Sequence, residues 1–186
     1  ERGLLVLDAV STGKAGHAAR NEGENAITLA MKDIEWFNTY QFPYVSPLLG
    51  QVKMSVTSIE TDNKAHNVVP AECRFIVDIR VNEHYSFEEV LEVISANVKC
   101  SFTPRSLRLK SSMIPPEHPL VLAGLKLGRT TYGSPTTSDK ALMPFPALKM
   151  GPGDSARSHT ADEFIFTEEI REGIELYIRL VEQVVR

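Results

Sequence analysis

The sequence predicts an α+β protein: a ferredoxin-like β-α-β-β-α-β unit over residues 3–112, followed by a second, mainly helical segment, 113–186. Three observations carry this prediction. Four stretches alternate or run apolar as strands do. Two stretches between them repeat apolar residues every three or four positions. The texture then changes at Ser111-Ser112, before the Pro115-Pro116 linker.

The elements follow in order. Residues 3–13 are apolar and β-branched and end at a glycine, which reads as a strand. A polar loop of small residues, 14–23, comes next. Asn25 is a good N-cap, and Ile27, Ala30, Ile34 and Phe37 then form one apolar stripe of a helix that ends before Pro43. Residues 51–60 alternate, with Val52, Met54 and Val56 on one face. Thr61 to Lys64 is a turn. Residues 72–81 alternate again: Cys73, Phe75, Val77 and Ile79 against Arg74, Asp78 and Arg80. Ser86 and Glu89 form a capping box ahead of Val90, Leu91, Ile94 and Val98. Leu107 and Leu109 alternate with Arg108 and Lys110 in a short fourth strand. This is the split βαβ pattern, with two helices covering one face of a four-stranded antiparallel sheet. In the second segment, Leu120 to Leu127 is a short helix stopped by Gly128. Residues 133–140 are a polar loop, 146–150 read as a buried strand, and 151–163 form a loop of small residues. A last helix starts at Thr167 with Glu168 and Glu169 in its first turn. Its apolar face is Ile170, Ile174, Ile178, Val181 and Val185. At roughly 70 residues this segment is marginal as a lone core, so part of a larger domain is expected to be missing.

Composition narrows the function. The chain has 186 residues, 42% hydrophobic and 24% charged, close to the globular average. That excludes a disordered acidic tail, a collagen-like repeat and a disulfide scaffold, the last because only Cys73 and Cys100 are present. A net charge of -4 argues against non-specific nucleic-acid binding, which needs a cationic surface. No apolar run approaches the roughly 20 residues that span a bilayer. The reading is a soluble, cytoplasmic protein with neither nucleic acid nor membrane as partner. The start at Glu1, without a leader pattern, points to a fragment.

Several residues suit chemistry, and each also has a plainer reading. His17, among small neighbours in Gly16-His17-Ala18-Ala19-Arg20, is either presented to a ligand or an ordinary surface histidine. His159 follows the Gly151-Pro152-Gly153 turn and precedes Asp162 and Glu163, which suits a metal ligand backed by acids or a solvated loop histidine. Arg80 beside Asp78 fits a bidentate carboxylate contact or an exposed ion pair of little energy. Asn67, before Val68-Val69-Pro70, fits a turn. Thr137-Ser138-Asp139 fits an anion-binding helix start or a simple cap. His66, His84 and His118 have no useful partner spacing, and no HExxH or paired CxxC occurs.

Taken in order, these motifs resemble the dinuclear-zinc amidohydrolase and peptidase family that includes acetylornithine deacetylase, succinyl-diaminopimelate desuccinylase, aminoacylase and glutamate carboxypeptidase. The set is Gly16-His17-Ala18-Ala19-Arg20 with Gly23-Glu24-Asn25-Ala26, Asn67-Val68-Val69-Pro70, Asp78-Ile79-Arg80, Thr137-Ser138-Asp139, and Gly151-Pro152-Gly153 with His159-Thr160-Ala161-Asp162-Glu163. The acetylornithine deacetylase-like branch is the one it resembles most. The resemblance implies that 3–112 is a lid and dimerisation domain and 113–186 the closing part of an α/β catalytic domain whose first part is absent. It implies that His159 is a zinc ligand, and that His17 reaches into the partner subunit's site to polarise the scissile carbonyl. Asn67 and Arg80 would hold the substrate, Arg80 on its carboxylate, with Thr137 and Ser138 in a substrate-contacting loop. Two zinc ions per site are implied, with cobalt able to substitute. The family's His-x-Asp motif, paired glutamates and further metal carboxylate are absent here. This chain alone is therefore expected to hold no metal stably and to be inactive. The intact protein is expected to be a homodimeric deacylase of an N-acyl amino acid in arginine biosynthesis. The alternatives are a dipeptidase or carboxypeptidase of the same family, or a non-catalytic ferredoxin-like dimerisation or ligand-sensing module.

Overall fold

The computed structural model describes residues 1–20 and 22–185; Asn21 and Arg186 lie outside them. The chain divides into two compact units. The first is Glu1–Ser112 with Gly133–Leu142, and the second is Met113–Tyr132 with Met143–Arg186. The polar loop at 133–140 thus packs with the first unit.

The first unit contains β1 (Gly3–Thr12), β2 (Gly16–His17), α1 (Ala26–Thr39), β3 (Lys53–Thr61), β4 (Val68–Val69), β5 (Glu72–Val81), α2 (Phe87–Asn97) and β6 (Ser101–Pro104). Four strands form one sheet in the order β3-β5-β1-β6, each neighbouring pair antiparallel. β2 and β4 form a separate two-stranded ribbon. Side chains alternate across a strand, and that alternation sorts the faces. Leu5, Leu7 and Ala9 of β1 and Cys73, Phe75, Val77, Ile79 and Val81 of β5 are buried. They join Ala26, Ala30 and Phe37 of α1 and Phe87, Val90 and Ile94 of α2 in one core cluster. Burying an aliphatic or aromatic side chain of this size stabilises by about 1.5–3 kcal/mol before ordering entropy, so this layer dominates the unit.

Both helix starts follow from their caps. Asn25 Oδ1 accepts the Ile27 amide at 2.9 Å. Ser86 Oγ accepts the Glu89 amide at 3.1 Å while the Glu89 carboxylate accepts the Ser86 amide at 2.7 Å.

Two expectations need correction, the fourth strand and the strand at 146–150. The fourth strand is Ser101–Pro104 rather than 107–110. Arg105 N–H still reaches Val6 O at 2.9 Å beyond Pro104, the chain then leaves the edge, and it returns through Leu4 N–H to Leu109 O at 2.8 Å and Ser112 N–H to Glu1 O at 3.1 Å. Leu107 is left 40% exposed.

The second unit contains α3 (Pro119–Lys126) and α4 (Thr167–Val184), which pack on each other. Residues 146–150 are not a strand; among the described residues this unit offers no strand edge to pair with. The apolar stripe of α4, Ile170, Ile174, Ile178, Val181 and Val185, is exposed. The helix buries Gly173 and Leu180 instead. A Cβ on Gly173 would lie 2.9 Å from Pro152 Cβ, so glycine is required for this close approach. Among the described residues no helix is long and apolar enough to cross a membrane.

Candidate functional site

The structure sorts the candidate residues into three places. The first is the β2–β4 ribbon. His17 pairs with Val68 across it, and Ala18 N–H donates to Asn67 O at 3.0 Å, so His17 and Asn67 sit side by side. Asn67 lies in the turn before β4 and is exposed. His17 Nδ1 accepts the Ala19 amide at 3.2 Å. With Nδ1 occupied as an acceptor, the neutral ring carries its proton on Nε2. Nε2 is then a hydrogen-bond donor directed away from the loop backbone, which suits it to a carbonyl oxygen.

The second place is the opposite end of the sheet. Arg80 lies between Leu4 of β1 and Lys53 of β3. Its Nε and Nη2 donate to the two oxygens of Asp78 at 2.7 and 2.9 Å, and its Nη1 lies 3.5 Å from Thr137 Oγ1. Both Arg80 and Asp78 are roughly a quarter exposed, at 29% and 27%. The Asp78 grip fixes the guanidinium plane and leaves the Nη1 side toward Thr137 able to donate. Thr137 Oγ1 itself donates to Arg2 O at 2.8 Å, and Ser138 Oγ donates to Glu1 Oε2 at 2.5 Å. Ser138 also starts the short 3-10 turn Asp139–Leu142 by accepting the Ala141 amide on its carbonyl at 3.0 Å. The loop is therefore a capped turn that presents Thr137 beside Arg80.

His17 with Asn67 and Arg80 with Thr137 do not meet in one chain. β1 separates them. It runs ten residues, about 30 Å at the usual rise per residue.

The third place is the loop around His159 in the second unit. Gly153 turns the chain at φ 79°, and His159 is held at φ 61°. A left-handed backbone costs a non-glycine residue about 1 kcal/mol or more, so other contacts must hold it. His159 N–H donates to Glu163 Oε2 at 3.0 Å. Thr160 Oγ1 donates to Arg157 O at 2.8 Å. Asp154 Oδ1 accepts the Ala156 amide at 2.9 Å. Among the described residues, no group of three or more His, Cys, Asp or Glu side chains is placed to hold a metal ion. Zinc takes four ligands, or three and a water. The nearby acids Asp154, Glu163 and Glu169 already accept hydrogen bonds within the loop and α4. Around His159 these residues thus offer one imidazole, short of the ligands a zinc ion takes.

Sequence reading overlooked Arg157 and Glu169. Arg157 donates through both terminal nitrogens to the Glu169 carboxylate, one bond being 2.8 Å. Twelve positions and an irregular loop separate the two, so no helix or strand period links them. The only local signal was Glu169 as an acid in the first turn of α4.

The fold and these residues describe an α+β domain of the type peptidases use to dimerise. The family described as the peptidase dimerisation domain matches residues 1–100, and the chain belongs to this M20 peptidase family. Among curated relatives, succinyl-diaminopimelate desuccinylase 2 of Ruegeria sp. (strain TM1040) is 27% identical over 101 residues, covering 54% of this chain and 26% of its own. Succinyl-diaminopimelate desuccinylase of Roseobacter denitrificans is 26% identical over 200 residues, covering 97% of this chain and 51% of its own. The chain thus spans from about a quarter to about half the length of these relatives. Among solved structures, aminopeptidase PepT from Bacillus cereus superposes with a TM-score of 0.70 at 19% identity, covering 100% of this chain and 52% of that one. The M20 metallo-carboxypeptidase Sso-CP2 from Sulfolobus solfataricus gives 0.70 at 14% identity, covering 98% and 58%. The two structures share the fold with this chain.

Proposed function

We propose that this chain forms part of a zinc-dependent hydrolase that removes the acyl group from an N-acyl amino acid. In this reading residues 3–112 are a ferredoxin-like lid, as the strand order β3-β5-β1-β6 with two helices on one face supports. Residues 113–186 are the closing part of the catalytic domain, and His159 is one ligand of a metal centre completed by residues outside this chain. The metal would supply Lewis-acid polarisation and an activated water. The names of the curated relatives move the acyl group from the acetyl of the acetylornithine reading toward succinyl. A dipeptidase of the same family would present the same carboxylate to Arg80. A panel of N-succinyl amino acids, N-acetyl amino acids and dipeptides separates the three.

One observation supports the reading of the site: His17 and Asn67 lie at the β2–β4 ribbon that follows the Thr12 end of β1, whereas Arg80 and Thr137 lie beside its Gly3 end. A single substrate cannot bridge about 30 Å. Arg80 and Thr137 therefore serve the site of their own chain, and His17 and Asn67 serve the partner's. In a two-fold dimer each site then draws on both subunits. The test uses the protein that contains this chain together with the remaining metal ligands. His17→Ala and Arg80→Met homodimers should each be nearly inactive. Mixed at equal amounts and allowed to exchange, they should recover about a quarter of wild-type activity, because half the dimers are mixed and each holds one intact site. No recovery after demonstrated exchange would sink the shared-site arrangement.

A further inference from the structure

We infer that Arg157 is a positioning residue that holds His159 in its left-handed conformation by tying the loop to the start of α4. This deepens the reading of His159 as a metal ligand and rests on it. The observations converge on one side chain. Its guanidinium donates through both terminal nitrogens to Glu169. It also lies 5.0 Å from the Phe164 ring centroid and 5.2 Å from that of Phe166, the two rings meeting edge to face at 5.2 Å. An arginine so placed gains both a planar two-donor contact and ring-face attraction. Its side chain is only 20% exposed, although the surrounding loop is open.

Arg157 reaches His159 from the backbone side. Its carbonyl accepts the Thr160 hydroxyl at 2.8 Å, closing a small ring that contains Ser158 and His159. Downstream, Glu163 accepts the His159 amide at 3.0 Å. Glu169 completes the tie by accepting the Phe166 amide at 3.0 Å, which fixes the first turn of α4. The strained residue therefore sits between two anchors, and the stronger is Arg157. Lysine cannot replace it, because a point charge offers neither the paired bonds nor the flat face.

The test is made on the 186-residue chain without metal, so that it reads the tie and not the ligand role. Arg157→Lys and Arg157→Ala are compared with the parent by amide hydrogen exchange and by the intraresidue amide-to-Hα Overhauser effect at His159, which is strong when φ is positive. Both variants should speed His159 amide exchange at least tenfold and weaken that effect, while the amides of 174–181 in α4 keep their protection. An unchanged His159, or protection lost along the whole of α4, would overturn the inference. The milder Lys variant guards against simple unfolding of the Ala variant. The ligand reading fails separately: His159→Ala in the intact enzyme would then leave zinc content unchanged, whatever the exchange data show.

Discussion

Asp33 is a buried carboxylate of the first unit, only 6% exposed. Its oxygens accept the Lys99 amide at 3.0 Å and the Cys100 amide at 2.8 Å, tying α1 to the chain entering β6. Asp33→Ala would strand one buried and one partly buried amide, a buried one costing about 1–3 kcal/mol. The variant should lose roughly 2–4 kcal/mol in urea unfolding of the first unit, and a loss below 0.5 kcal/mol would show that water replaces the carboxylate. The same carboxylate acts on the neighbouring thiol. Burial first, and the Asp33 charge second, push Cys100 up to about 12, and burial also raises Cys73. The nucleophile is the thiolate, so neither cysteine should react with a thiol reagent at pH 8 in the folded chain, and both should react in denaturant. Rapid native labelling at either would contradict their placement. At this scale the sequence was uneven. Cys73 was legible as core because it alternates with charged residues, whereas Asp33 was not, because its partners lie 66 and 67 positions away.

At the scale of elements, α4 begins on an acid-sensitive contact. The two Arg157 donors, then the Phe166 amide, hold the Glu169 carboxyl at about 2, well below the 4.5 of an ordinary glutamate. A depressed carboxyl stabilises the fold fully above its unfolded value, and that contribution fades as pH falls through the folded one. The melting difference between the parent and Glu169→Gln should therefore be largest above pH 4.5 and shrink toward pH 2. A difference independent of pH would remove Glu169 from this role. The caps of α1 and α2 were readable because Asn25, Ser86 and Glu89 act within three residues of themselves. Strand β6 was misplaced for a related reason. Leu107 to Lys110 alternates, but alternation reports a half-buried face only where a ladder exists, and the pairing of β6 with β1 stops before these residues. Residues 146–150 read as a strand on composition alone, and a strand is a property of pairs.

At the scale of the whole molecule, the exposed stripe from Ile170 to Val185 is apolar surface in water. Contiguous patches of this kind bind apolar dyes and promote association. The chain should bind such a dye strongly, and Ile174→Glu with Ile178→Glu should remove most of the signal while keeping α4 helical by circular dichroism; retained dye binding would place the patch elsewhere. The arrangement of half-sites was not legible in the sequence. Asn67 and Arg80 are close in number, but Asn67 precedes β5 and Arg80 lies near its far end, so the ten-residue strand carries them apart. The register of β5 on β1 has an evolutionary corollary. β1 acts as a strut whose length sets the spacing between the His17–Asn67 and Arg80–Thr137 pairs. Adding one residue would turn every following side chain from the core to the solvent face. The strut can therefore lengthen only by residue pairs, in steps of about 7 Å. Between those steps, any change in that spacing has to be absorbed by the loops at either end.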